Sequence, residues 1–217
     1  MTTKLPEAVR RLSDELAELP GIGPRQAVRL AFHIISLGKN QIKNLSQAVD
    51  GLAKLNICER CFFPTSDESG PRPHKGVGVV SSDQTLCNIC KDKNRRQDII
   101  MIVEKETDLI SLENTGKFSG RYLVLGAMPK TGMLEEWQKL RLQNLKSFIE
   151  KNFKGKAEEI ILAFNPTSSG DFHASLLSKE LLPFAKKISR LGRGLPTGGE
   201  VEFADDETLG SALEKRS

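Results

Sequence analysis

All four cysteines of the 217-residue chain fall in one window, Cys58 and Cys61 in CERC, Cys87 and Cys90 in CNIC. Two C-x-x-C pairs offer four thiolates to one ion, and the two-residue spacing lets each pair wrap it, the pattern of a structural zinc site. A closed shell of four sulfurs leaves no open position for catalysis. The sequence therefore predicts one structural Zn2+ per chain held by the four cysteines; His74 in the intervening loop is the disfavoured substitute for one of them. The 25 residues between Cys61 and Cys87 exceed the usual spacing of about 15–20. Loop closure entropy rises slowly with length, so the loop bulges outward at little cost. Two disulfides or a redox pair are the competing readings, and both suit a cytoplasmic protein poorly.

A second stretch, LPGIGPRQAVRLAF at 19–32, sets two glycines between prolines and between two helical patterns. Gly21 and Gly23 permit a turn too sharp for side chains, and Pro24 suits the first position of the second helix. Free amides at that helix start, reinforced by the helix dipole, form a site for a phosphate oxygen, and missing side chains admit a DNA backbone. Arg25 and Arg29, four apart, share a face. The bland alternative is a helix-turn-helix packing unit with solvated arginines. His33, within the second helix, reads as packed or half-buried.

The carboxylates are less concentrated. Glu104 directly follows the apolar run IIMIV at 99–103, at a strand's carboxyl end where α/β sites gather. It could ligate magnesium, but metal-dependent phosphoryl chemistry wants several converging carboxylates. The later run IILAF ends instead in Asn165-Pro166-Thr167, with Asp171 the nearest acid. LGAMPKTG at 125–132 does not place its glycines and Lys130 as G-x-x-x-x-G-K-[ST] requires.

These groups need elements to position them. Leu5, Val9, Leu12, Leu16 and Leu19, then Ala27, Leu30, Ala31, Ile34 and Ile35, then Ile42, Leu45, Val49, Leu52 and Leu55 recur at helical spacing. The cysteine segment shows no sustained period. IIMIV (99–103), YLVL (122–125) and IILAF (160–164) read as buried strands, separated by helical patterns, which argues for crossover units and a mainly parallel sheet. EVEFADDETLGSALEKRS reads as one more strand and a short helix capped by Asp205 or Asp206. Net charge is +4. Residues 1–98 hold 15 Lys and Arg against 11 Asp and Glu, residues 99–217 hold 17 of each, so the excess lies in the first part and suits a polyanionic partner. The opening MTTKLPEAVRR has no apolar h-region and no run approaches a membrane span, so the expected location is cytoplasmic.

PGIGP followed by Arg resembles the helix-hairpin-helix motif of DNA repair proteins. With CERCF, CNIC, ETDLISLENTGKFSGRYLVLG, EEIILAFNPTSSGD and RLGRGLPTGGEVEFADDETL, nearly the whole chain resembles the RecR family of bacterial recombination mediators. The resemblance implies an α+β multidomain chain: a helix-hairpin-helix domain at 1–56, a four-cysteine zinc finger at 57–97, an α/β Toprim domain at 98–194 and a C-terminal segment at 195–217. It also implies a ring-like homotetramer that encircles DNA without sequence preference, single-stranded, gapped or duplex, near the nucleoid. Such proteins have no known catalysis. They act with RecO and RecF to bring RecA onto single-stranded DNA. The resemblance assigns DNA contact to Arg25 and Arg29, beside the turn glycines Gly21 and Gly23 that the residue pattern already gives, and partner contact to Glu104, with Asp171 the further candidate for partner contact. Where the family usually carries two glutamates after Asn-Pro-Thr, this chain has Ser169 and Asp171. The competing expectation is a magnesium-dependent Toprim nuclease or topoisomerase-like enzyme using Glu104. A third is a zinc-containing interaction module without DNA contact.

Overall fold

The computed structural model describes residues 5–66, 86–129, 132–214 and 216. It divides into two compact units, 1–55 and 56–217. The first is built of α1 (Glu7–Ala17), α2 (Pro24–Ser36) and α3 (Lys39–Leu52). Alanines at helical spacing let α2 pack closely on α1: Ala27 and Ala31 are fully buried, beside Val9. The buried Ser13 hydroxyl donates to the Val9 carbonyl at 2.7 Å, so its polar group is satisfied within α1. The apolar stripe expected on α3 is present, but α3 buries none of it. His33 is exposed, which corrects the expectation of a packed residue.

The second unit holds a four-stranded sheet in the order β4-β3-β5-β6, every pairing parallel. Its strands are β3 (Ile99–Val103), β4 (Arg121–Val124), β5 (Ala157–Ala163) and β6 (Ala185–Arg190). Helix α5 (Glu106–Glu113) joins β3 to β4, α6 (Glu136–Asn152) joins β4 to β5, and α7 (Ser168–Leu181) leads through a 3-10 turn to β6. Right-handed crossovers place helices by the direction of travel across the sheet. The step from β3 to β4 runs one way and the next two run the other. Accordingly α6 and α7 cover one face, around Ile100, Ile102, Leu123, Ile160 and Leu162. Leu109 of α5 covers the opposite face with Met101, Val103, Tyr122 and Val124.

Two short strands, β1 (Asn56–Ile57) and β2 (Pro64–Thr65), pair antiparallel around the first cysteine pair, and the four-residue α4 (Asn88–Lys91) carries the second. The cysteines pack into the same cluster as Tyr122 and Val124, and the Val124 amide donates to the Cys61 carbonyl at 2.8 Å. The cysteine module thus covers the free edge of β4, which would otherwise present unpaired backbone groups. At the other end, residues 201–203 form a 3-10 turn where a strand is expected. Helix α8 (Asp206–Glu214) follows, and Asp205 caps it by accepting from the Thr208 amide at 2.9 Å. His74 and Lys130 lie outside the described residues.

Candidate functional site

Cys58, Cys61, Cys87 and Cys90 are all buried, and their four Sγ atoms lie within 4.8 Å of one another. The Cys61 and Cys87 sulfurs are 3.5 Å apart. Zinc–sulfur bonds of about 2.3 Å set tetrahedral sulfur–sulfur edges near 3.8 Å, so the cluster fits one metal ion after small adjustment. Local backbone builds it. The Phe62 amide donates to the Cys58 carbonyl and the Cys58 amide to the Phe63 carbonyl, both at 2.9 Å, which curls the chain so that Cys58 and Cys61 face inward. Cys87 caps α4, placing Cys90 one turn on. Hydrogen bonds from Cys61, Cys87 and Cys90 hold the Cys58 thiol far below its ordinary value against the cost of burial. Cys87 is pushed up by Cys58 but down by Cys61 and Cys90, and settles at about 7. Cys61 and Cys90 are instead pushed up, by Cys58 first and by burial among the other sulfurs. The four thiols therefore do not all ionise unaided, and a cation among them would supply the charge that makes every sulfur a thiolate, the form that ligates metal. Among the described residues no other group of three His, Cys, Asp or Glu side chains converges in this way.

The structure brings Gly21, Gly23, Arg25 and Arg29 together. The Ile22 amide donates to the Leu19 carbonyl, closing a tight turn after α1. Gly21 has φ +82°, a conformation that side chains disfavour. Gly23 differs: its φ is −80° and its ψ 164°, ordinary extended backbone, and a Cβ there would meet nothing within 4 Å. Neither its backbone nor its neighbours require glycine, so what its missing side chain keeps open is the space outside. Pro24 is the first residue of α2 as expected. Gly23, Pro24, Arg25, Gln26 and Arg29 line a shallow groove at the start of α2, with both arginines exposed. No acidic residue lies in the first turn of α2, leaving its dipole free for an external anion.

At the carboxyl end of the sheet, Glu104 is half-buried just beyond β3. Burial first, and then the charge of Asp108, push its carboxyl above the ordinary glutamate range, against His173 and Lys105. Asp171 stands in the first turn of α7. It accepts from Arg190 at 2.5 Å and also from Arg193, which reaches on to Glu207 of α8. The Arg190 hydrogen bond holds the Asp171 carboxyl below its usual range. These arginines line a cleft of about 670 Å3 with Asp108, Asn165 and Glu207. The start of α7 is tightly built: Thr167 accepts from the Gly170 amide, and a Cβ on Gly170 would come within 2.1 Å of the Asn165 carbonyl oxygen. Arg190 and Arg193 escape a sequence reading because they end and follow a strand, β6, with no apolar run. Arg121 also escapes it, a cation buried at 5% exposure directly before the YLVL pattern.

A helical hairpin with a shallow groove at its second helix, a four-thiol knuckle and a parallel sheet with an acid beyond its first strand together define a helix-hairpin-helix protein with a Toprim sheet. Family models agree, matching the RecR helix-hairpin-helix at residues 9–52, the Toprim domain at 98–192 and the RecR C-terminal region at 194–217. The chain is 39% identical over 211 residues to the recombination protein RecR of Chloroflexus aggregans, covering 96% of this chain and 92% of that protein. It is 37% identical over 214 residues to that of Myxococcus xanthus, covering 97% and 98%. The RecR of Streptomyces avermitilis is 36% identical over 211 residues, covering 96% and 95%. The chain belongs to the RecR family. Among its described residues no helix is long and apolar enough to cross a membrane.

Proposed function

We propose that this protein is a non-enzymatic scaffold of recombinational DNA repair that binds DNA without reading its sequence and acts with a RecO-type partner, and a RecF-type one, to promote RecA loading on single-stranded or gapped DNA. The observation that carries the reading is the hairpin turn. Gly23 adopts a conformation open to any residue and leaves unfilled space beside Arg25, Arg29 and the amides that begin α2. A phosphate seated there would accept from those amides and pair with the two guanidinium groups, contacts that position a strand but specify no base. The four cysteines would hold one structural Zn2+, which supplies folding free energy to the module covering the edge of β4. Glu104 and Asp171 would serve partner contact. A single partly buried acid beyond β3, with Asn165 and not an aspartate pair after β5, supports contact over metal-dependent cleavage. The apolar residues that α3 leaves exposed support a ring-like homotetramer.

The test is binding to labelled single-stranded, gapped and duplex DNA, with and without magnesium, scoring complex and cleavage together. Replacing Arg25 and Arg29 by alanine should lower affinity alike for unrelated sequences. It should also flatten the dependence of log affinity on log salt by about 0.7–0.9 for each phosphate that is no longer neutralised. Unchanged affinity and slope in a folded double variant would move the DNA site elsewhere. Magnesium-dependent cleavage abolished by Glu104→Ala would select the nuclease.

A further inference from the structure

Arg121 opens β4, the edge strand that the cysteine module covers. It is 5% exposed, and among the described residues no carboxylate pairs with it. Its guanidinium carbon lies 3.7 Å from the centre of the Phe148 ring, a favourable but weak neighbour for a cation. One of its terminal nitrogens, Nη1, is buried without any hydrogen-bond partner. A buried, unpaired cation is costly, several kcal/mol by general experience, so something must offset it. Arg141, a second half-buried arginine near the module, differs: it donates to the Val124 carbonyl at 2.8 Å.

We infer that Arg121 is the buried counter-charge of the four-cysteine metal centre. The inference rests on the zinc reading above. Zn2+ held by four thiolates carries a net charge of about −2, and Cys90 lines one cavity with Phe148, the ring on which Arg121 stacks. Burial lowers the pKa of the guanidinium; the charge of Cys90 raises it, Arg60 lowers it, and Cys61 and Cys58 raise it. The attraction is mutual. A fixed cation in a dry surrounding stabilises the anionic cluster, and the cluster offsets the burial of the cation. Groups around a metal's ligands set its affinity in this way, with affinity falling about 10–100-fold when they are removed. Arg121 is thus a positioning residue of the metal site, reached through charge and not through a bond to the metal.

The test uses the full chain purified with its metal. Zinc transfer to a chromogenic chelator is followed for the wild type, Arg121→Met and Arg121→Lys, and each is melted with zinc bound and after zinc is stripped. Arg121→Met should weaken zinc binding by about 10–100-fold, Arg121→Lys far less. The drop in melting temperature caused by Arg121→Met should be larger in the zinc-bound protein than in the stripped one, because only the former holds the full negative charge. A folded Arg121→Met variant with unchanged zinc affinity overturns the inference. So does an Arg121→Lys variant that folds yet releases its zinc, which would make shape and not charge the cause; this arm decides the matter even should the methionine variant not fold. Wild-type protein without zinc would sink the zinc reading itself, and the inference with it.

Discussion

Glu104 keeps a charge where the fold resists one. A carboxyl raised above its ordinary value in the folded state binds its proton more tightly there than in the unfolded chain. Stability is then greatest below the unfolded value and falls as pH rises through the folded one. For Glu104 the cause is partial burial, joined by the like charge of Asp108. At neutral pH its ionised form therefore weakens the fold, a pattern that marks functional positions more often than structural ones. Glu104→Gln, which keeps the shape, should raise the melting temperature at pH 7. The gain should shrink as pH is taken down to about 4, the ordinary glutamate range. DNA affinity should be unaffected, while association with a RecO-type partner should weaken. A variant that melts lower than wild type at pH 7 would show the charge to be stabilising and remove the argument.

The turn between α1 and α2 separates two uses of glycine. Gly21 is needed by the backbone, so Gly21→Val should cost about 1–3 kcal/mol in stability. Gly23→Ala should change stability by no more than about 0.5 kcal/mol, because the conformation suits alanine and the new methyl meets no atom of the chain. If the turn holds a phosphate, Gly23→Ala should nonetheless lower DNA affinity; full affinity would mean that no ligand approaches there. Both glycines were legible in the sequence as a turn, since Gly and Pro act locally. The distinction between them was not, because it depends on φ and on empty space. Long-range pairing set the other limits. β3, β4 and β5 stand in the sheet's interior or under helices and read as apolar runs, whereas β6 is an edge strand, AKKISR. Its two lysines pair across to Glu158 and Glu159, and Ser189 donates to Glu159, so its register rests on polar contacts that no periodicity announces. Residues 201–203 erred the other way: Val-Glu-Phe alternates like a strand, but with Val201 and Phe203 exposed at 61% and 80% it has no sheet to join. The four cysteines were the most legible feature, because ligand spacing survives whatever the surrounding loop does.

At the scale of the whole molecule the apolar face of α3 decides more than its sequence suggested. The helical period of Ile42, Leu45, Val49 and Leu52 is intact, yet all four side chains stay exposed, Leu52 at 66%. An amphipathic helix whose apolar face is left exposed among the described residues points to another chain, and contiguous apolar surface is the usual mark of such contact. Closed homo-oligomers reuse one surface on every copy, so a single substitution acts on each interface at once. Val49→Glu with Leu52→Glu should accordingly leave zinc content and helical content in place, because both side chains are exposed among the described residues. The pair of charges should drive the assembly to smaller species, read as a drop in mass by sedimentation equilibrium. If copies of the chain form the proposed ring, several hairpins would bind DNA together and the salt dependence would sum their phosphate contacts. The smaller species should therefore bind DNA more weakly and with a shallower salt slope even though Arg25 and Arg29 are untouched. Unchanged mass would show that α3 is not where copies of this chain meet. A smaller mass with an unchanged slope would show that each DNA contact is made by one subunit alone.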